Sequence, residues 1–138
     1  GIAYAGPADE VIKITKAQWA AEIAKTSVDK QTALLADDYT EFNPQSPFRI
    51  NGKAMNVRLW EAAVDNDKGK LISAEMVNEK VQAYDNTAIL SYNFVGAYLD
   101  KDGKIQPILA KSTRVYVKTG KSWQMVHANF SPVSTNAD

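Results

Sequence analysis

Two side chains suited to ligand chemistry lie near the end of the chain. Arg114 and His127 occur in the stretch STRVYVKTGKSWQMVHANFSP, and His127 is the only histidine among 138 residues. A planar guanidinium binds carboxylate and carbonyl oxygens well. An imidazole takes or gives a proton near neutral pH. These residue types predict a site for an anionic or carbonyl-bearing ligand, with His127 as the candidate acid or base.

Structural roles are the alternatives for both residues. Arg114 also suits a structural ion pair with Glu41 or Glu75, and His127 suits a hydrogen-bonded position in the core. A metal site is not expected, because one histidine and scattered carboxylates do not supply three or four convergent ligands. No other cofactor is expected.

The alternation within this stretch predicts which side chains share a face. A two-residue turn that includes Gly120 places Arg114 and His127 on one face in either register, unless a bulge intervenes. That face is mixed, as pocket linings are, and carries Ser112, Arg114, Tyr116, Trp123, Met125, His127 and Asn129. The opposite face is more apolar and is predicted to contact another chain. Its predicted interface residues are Val115, Val117, Val126, Ala128 and Phe130.

Other charged and aromatic side chains are candidates for the same pocket. Asp38 and Glu41 lie near the first predicted strand and are candidate carboxylate bases. Arg58 lies on a predicted helix, where it points inward or stays on the helix surface. Aromatic rings suit a pocket wall, although they more often belong to the core. The predicted ligand-binding set is Arg114, His127, Asn129, Tyr116, Tyr92, Tyr39, Trp60 and Arg58.

The hydrophobic period predicts the order of the elements that position these residues. Residues 9–37 have helical spacing, with Thr15 opening a capping box and Ser27 as the N-cap of a second helix. Residues 51–64 form a third helix. From Leu71 onward the period is two, which predicts four strands separated by turn residues. This order favours an α+β domain whose antiparallel sheet packs on N-terminal helices. Parallel pairing is not expected, because it needs crossover connections.

Composition excludes several classes of protein. Basic and acidic residues both number 16, so neither a nucleic-acid surface nor a polybasic membrane patch is expected. There is no cysteine, which excludes disulfides and thiolate chemistry. One domain is expected over residues 9–133, with tails at 1–8 and 134–138. The triplet Ala3-Tyr4-Ala5 is typical of a signal-peptide end and predicts export, with a cytoplasmic protein as the alternative.

The last hairpin resembles that of the nuclear transport factor 2-like superfamily. The residues match the pattern T-R-V-x-x-x-x-x-x-x-W-x-x-V-H-x-x-x-S of that group. The stretches VQAYDNTAILSYNFVGAYLDKDGK and DDYTEFNPQSPFRINGKAM are similar to its preceding hairpin and to its first strand. Within the superfamily, the chain most resembles SnoaL-like proteins and the association domain of calcium/calmodulin-dependent protein kinase II.

The resemblance implies a cone of the cystatin-like type, in which a curved antiparallel sheet wraps around a long helix and encloses a pocket. It also implies dimerisation through the sheet, and kinase association domains assemble further into rings. By motif match, Arg114 takes the place of a pocket arginine. His127 matches the first position of a His-x-His pair whose second position is Asn129 here.

The leading functional prediction is a stand-alone, non-catalytic module that self-associates and binds a small organic ligand in the cone. The first alternative is a small isomerase, dehydratase or cyclase, like ketosteroid isomerases or polyketide cyclases, that uses His127 and Arg114. The second alternative is an oligomerisation scaffold with a vestigial pocket. An enzyme of this kind needs a base beside a positioned hydrogen-bond donor, and in the sequence His127 with Arg114 is the pair that meets this requirement.

Overall fold

The computed structural model describes residues 6–65 and 69–134. Of the expected tails at 1–8 and 134–138, residues 1–5, with the Ala3-Tyr4-Ala5 triplet, and residues 135–138 lie outside the described residues. Pro7 and Ala8, which were expected in a tail, form the first turn of a helix. The elements are α1 (Pro7–Ile23), α2 (Val28–Gln31), β1 (Leu35–Phe42), β2 (Ile50–Asn51), α3 (Lys53–Asp65), β3 (Lys70–Tyr84), β4 (Thr87–Leu99), β5 (Ile105–Thr119) and β6 (Ser122–Pro132).

Six strands form one curved, open sheet in the order β2-β1-β6-β5-β4-β3, with α1 packed on one face. The predicted α+β class and the cone-type fold are confirmed. Strands β3 to β6 pair antiparallel through consecutive hairpins, as predicted. The expectation of no parallel pair is wrong, because β1 pairs parallel with β6. Parallel strands need a long connection between them, and here the whole of the chain from β2 to β5 provides it.

Helix α1 buries one stripe of side chains against the sheet. Its start is marked by Pro7 in the first turn and by two acidic residues, which suit the positive end of the helix dipole. Val11, Thr15 and Trp19 recur every four residues and are all buried. The predicted helix start at Thr15 is wrong, because that hydroxyl lies inside the helix and donates to the Val11 carbonyl oxygen at 2.7 Å.

The first two connections follow local chemistry. The predicted N-cap at Ser27 is confirmed, since its Oγ accepts from the Lys30 backbone N–H at 3.3 Å. Helix α2 is only four residues long, and Leu35 begins β1 instead of continuing a helix. In the part of the chain that the structure describes, no helix is long and apolar enough to cross a membrane.

A β-bulge in β6 changes the alternation of the last hairpin. The turn is Gly120-Lys121, with Gly120 at a φ of 63°, and Tyr116 pairs with Met125 as a regular ladder requires. Beyond that pair the register shifts, so that Val115 pairs with His127 and Arg114 pairs with Ala128. Val126 is the extra residue of the bulge. The side chains that follow it on β6 therefore exchange faces relative to the predicted pattern.

Candidate functional site

Arg114 lies at the centre of the interior, between α1 and β5. Its side chain is 3% exposed. Its Nε donates to Tyr92 Oη at 2.9 Å, and its Nη1 donates to Gln18 Oε1 at 2.6 Å and to Tyr116 Oη at 3.3 Å. These partners come from β4, α1 and β5, so three elements fix one guanidinium. The predicted inward position of Arg114 agrees with this geometry.

The hydrogen bonds around Arg114 have only one consistent direction. A guanidinium has no acceptor, so Tyr116 Oη accepts from it and keeps its own proton to donate. Thr15 Oγ1 lies 2.6 Å from Tyr116 Oη, and its single proton already goes to the Val11 carbonyl. Tyr116 must therefore donate to Thr15, and the chain of donors leads from the cation into the helix backbone.

Aromatic rings cover the guanidinium. Its Cζ lies 5.7 Å from the centroid of the Trp19 ring and 5.5 Å from that of Phe130, within reach of cation–π attraction. Nη2 makes no hydrogen bond to the part of the chain that the structure describes. One edge of the guanidinium thus keeps unused donors while other contacts hold it in place.

Glu22 connects to Arg114 through Gln18. The Gln18 Nε2 donates to Glu22 Oε1 at 3.3 Å, one helical turn further along α1. Burial raises the pKa of Glu22 to about 7, the nearby Glu41 charge adds to this rise, and the Arg114 charge and the Gln18 hydrogen bond oppose it. Glu22 therefore changes charge near neutral pH, which an exposed glutamate does not do.

Glu41 is a second carboxylate near the same interior. Its Oε1 accepts from Tyr39 Oη at 2.6 Å, and its Oε2 accepts from Asn43 Nδ2 at 2.5 Å. Tyr39 is fully buried, and burial together with the Glu41 charge raises the pKa of its hydroxyl. Neither Glu41 nor Glu75 forms an ion pair with Arg114 within the described residues, so the predicted alternative of a direct ion pair is wrong.

His127 lies on the outer face of the sheet, away from Arg114. It pairs with Val115, and its Nδ1 lies 2.8 Å from Thr40 Oγ1 on the neighbouring β1. Its ring packs edge-on against Phe42 at 6.1 Å. The prediction that His127 and Arg114 share a face is wrong, and the bulge at Val126 is the reason. Catalysis by the two acting as a pair is therefore ruled out by geometry.

The remaining predicted residues divide between the interior and the surface. Tyr92, Tyr116 and Tyr39 are buried inside, where the first two contact Arg114. Asn129 is exposed on the His127 side of β6, so its predicted place on the mixed face is also wrong. On α3, Arg58 is exposed and Trp60 is half-buried, and Asp38 on β1 is exposed. No contact described for these last three reaches Arg114.

The outer face of the sheet carries part of the predicted interface. Val115, Val117 and Val126 are half-buried there. The placement of Ala128 and Phe130 on this face is wrong, because Ala128 is fully buried in the core and Phe130 packs against it. An open groove of about 370 Å³ runs across β3, β4, β5 and β6. Its lining side chains are mostly amides and hydroxyls, from Asn78, Ser91, Asn93, Lys111, Thr113, Asn129 and Ser131.

Residues of α1 were missed by the sequence prediction of the site. Gln18 and Glu22 are four residues apart, so they lie on one side of the helix beside the buried stripe. A polar pair at that spacing next to a buried stripe is a weak signal for inward-facing groups. Within the described residues, no group of three potential metal-binding side chains is present.

Comparisons with known proteins show that the fold of this chain is shared with other proteins. The chain is similar to the hub of S. rosetta calcium/calmodulin-dependent protein kinase II, with 26% identity, a TM-score of 0.74, and coverage of 95% of this chain and 100% of that one. The hub homology domain of calcium/calmodulin-dependent protein kinase II from Chlamydomonas reinhardtii is 22% identical, with a TM-score of 0.77 and coverage of 94% of this chain and 100% of that one. A candidate ketosteroid isomerase from Parabacteroides distasonis is 18% identical, with a TM-score of 0.78 and coverage of 94% of this chain and 90% of that one. A search of curated proteins finds no match.

The family comparison covers almost all of the described chain. A model of the calcium/calmodulin dependent protein kinase II association domain matches residues 7–134, from the first residue of α1 to just beyond β6. The match therefore includes Arg114, Gln18 and Glu22 as well as the whole sheet. The chain belongs to the calcium/calmodulin-dependent protein kinase II association domain family.

Proposed function

We propose that the protein is a self-associating module that binds a small anionic ligand at the free edge of Arg114. The observation that carries the proposal is a buried guanidinium whose direct partners are all neutral. A buried charge that no carboxylate contacts directly is costly, and a ligand carboxylate would supply that direct contact. Nη2 offers the unused donors for it, in the planar geometry that carboxylates prefer.

Self-association is supported by the family and by the outer face of the sheet. The matched family is one of association domains, and the chain resembles kinase hubs over more than nine-tenths of its length. Val115 is half-buried on that face and stands between Ile89 and His127 in one cross-strand row. We propose this row, with Val117 and Val126, as the centre of the contact with a second copy.

Ligand binding is tested by replacing Arg114 with lysine. We expect Arg114→Lys to weaken binding of small carboxylates, such as acetate and benzoate, by at least about tenfold, because an ammonium cannot reproduce the planar fork. Calorimetry or ligand-observed NMR measures the affinity. The matched control is Arg58→Lys on the exposed side of α3, which should bind as the native protein does. Equal affinity in both variants would refute the role of Arg114.

Self-association is tested with a charge on the outer face. Val115→Asp should convert a dimer or larger species into monomer, because it places an unpaired carboxylate within the contact. Sedimentation velocity at about 20–50 μM is a suitable measurement, since stable interfaces of standard size are assembled at such concentrations. Val64→Asp is the control, at a valine that is 58% exposed on α3. A monomeric native protein would contradict the proposal.

A small isomerase, dehydratase or cyclase is the second candidate function. It is favoured by the interior carboxylate of Glu41, which is held by Tyr39 in the neighbourhood of the buried cation Arg114, and by the fold shared with a candidate ketosteroid isomerase. In this candidate enzyme Glu41 takes the role of the base, and His127 takes no part in the reaction. Turnover of a bound ketone by the native protein, lost in Glu41→Gln, would select this function over a binding module. Assembly without any ligand binding would select a scaffold.

A further inference from the structure

Glu22 is separated from Arg114 by a single side chain. The Gln18 Oε1 accepts from Arg114 Nη1 at 2.6 Å, and the Gln18 Nε2 donates to Glu22 Oε1 at 3.3 Å. Because a guanidinium can only donate, the Gln18 oxygen must face it, and the amide nitrogen must face Glu22. The amide therefore couples the cation to the carboxyl group without direct contact between them.

The charges around Glu22 do not balance. Arg114 on β5 is the cation, and Glu41 on β1 is a second carboxyl group whose charge acts on Glu22. If both carboxyl groups are ionised, two negative charges surround one guanidinium in a half-buried space. The other titratable side chains on β3, β4 and α2, which pack against α1, are Lys70, Glu75, Glu79, Lys80, Tyr84, Tyr92, Tyr98, Asp29 and Lys30, and of these only Tyr92 is buried. On β5, Tyr116 bonds to Thr15, and Lys118 forms an ion pair with Glu10 in the first turn of α1.

We propose that Glu22 carries the proton of the Arg114 site, so that a small monocarboxylate binds together with one proton. This inference rests on the proposed ligand site and adds its ligand class and its coupling. An incoming carboxylate would be a third negative charge beside one guanidinium, and protonation of Glu22 brings the number back to two. Burial already raises the pKa of Glu22 to about 7, so proton uptake is easy near neutral pH.

The rings around Arg114 favour approach of a ligand to the edge of the guanidinium. Trp19 and Phe130 lie 5.7 and 5.5 Å from Cζ, so a carboxylate approaches in the guanidinium plane, at the edge that carries Nη2. A dianion would need a second cation or a second proton, and neither the Glu22 carboxyl nor the neutral tyrosines supply one. The site therefore selects monocarboxylates over dicarboxylates and phosphate esters.

The first experiment follows the Glu22 proton directly. Native protein with carbon-13-labelled glutamate carboxyls is titrated by NMR between about pH 4 and pH 9, which brackets ordinary and raised carboxyl pKa values. We expect one glutamate to titrate near neutral pH and to be missing in Glu22→Gln. Saturation with acetate should move that midpoint upward. A midpoint that acetate leaves in place, or that persists in Glu22→Gln, would overturn the inference.

The second experiment measures acetate and benzoate binding against pH. Both acids stay ionised above about pH 6, so a change in affinity reports on the protein. In the native protein, affinity should fall about tenfold between pH 6 and pH 8, as linkage to one proton predicts. Glu22→Gln keeps the oxygen that accepts from Gln18 and should bind with the same affinity at every pH.

The control and the contrary outcomes separate this inference from the proposed function. Glu61→Gln removes the same charge from an exposed position on α3 and should keep the native pH dependence. Binding that does not vary with pH in the native protein, or that varies equally in Glu22→Gln, would refute the proton coupling alone. Absence of acetate and benzoate binding at every pH would refute the Arg114 ligand site and the coupling with it.

Discussion

Replacing Trp19 with alanine should lower the free energy of unfolding by roughly 3–5 kcal/mol, the cost of removing a large ring from a core. Trp19 is 5% exposed, and its ring packs edge-on against Tyr92 at 5.7 Å and Phe94 at 5.2 Å. It also covers one side of the Arg114 guanidinium. The substitution therefore removes ring packing and admits water to a buried charge. Urea unfolding followed by far-ultraviolet circular dichroism measures the loss.

Two matched variants make this prediction specific. Phe48→Ala removes a ring that is 81% exposed and should change the free energy of unfolding by at most about 0.5 kcal/mol. Trp19→Phe keeps an aromatic ring against Tyr92 and should lose less than Trp19→Ala. A loss of under about 1 kcal/mol in Trp19→Ala would mean that α1 does not carry the core as the structure indicates.

The second large effect is a pH dependence of stability that depends on Glu22. Its pKa is about 7 in the folded protein against 4.5 for a free glutamate side chain. Between these values the folded state keeps a proton that the unfolded state has lost, so stability falls as pH rises through this window. A shift of this size corresponds to about 3 kcal/mol at pH 8, where the folded protein must hold an ionised carboxylate.

Urea unfolding of native protein and Glu22→Gln at several pH values measures this effect. The two proteins should have similar stability near pH 5, where Glu22 is protonated and resembles an amide. Near pH 8 the variant should be the more stable by about 3 kcal/mol. Glu61→Gln, at an exposed position, should follow the native curve. Native and Glu22→Gln curves that stay parallel across the window would contradict the assignment.

Local chemistry explains what the sequence predicted well. The Ser27 cap, the Gly120-Lys121 turn and helix α3 depend on residues close together in the chain, and each was predicted to within a few residues. The strand candidates after Leu71 were also correct, because alternation shows directly which segments form strands. The parallel pairing of β1 with β6 was missed, because it joins Leu35 to Met125, and no local pattern reports a contact between residues so far apart in the chain.

The site was predicted only as far as single strands allow. The alternation of side chains on β5 placed Arg114 inward. Tyr92 and Tyr116, which were also predicted to line the pocket, contact it. Gln18 lies 96 residues from Arg114 in the chain, so no local pattern connects them. His127 was misplaced because Val126 and Ala128 are both small and apolar, and either fits a core-facing or an interface-facing position. Pairing with β5, rather than side-chain type, decides between these two arrangements.

The bulge at Val126 also bears on how relatives of this chain are compared. Met125 and Ala128 both point into the core although they are three residues apart. In a regular strand, positions 125 and 127 share one face, so a relative with the same spacing but no bulge would point its equivalent of His127 inward without any change of residue type. In this family, the pairing of the last strand with its neighbour thus decides which face the histidine occupies, and a count of identical residues does not report it. An alignment without any gap can therefore equate an interior histidine with an exterior one.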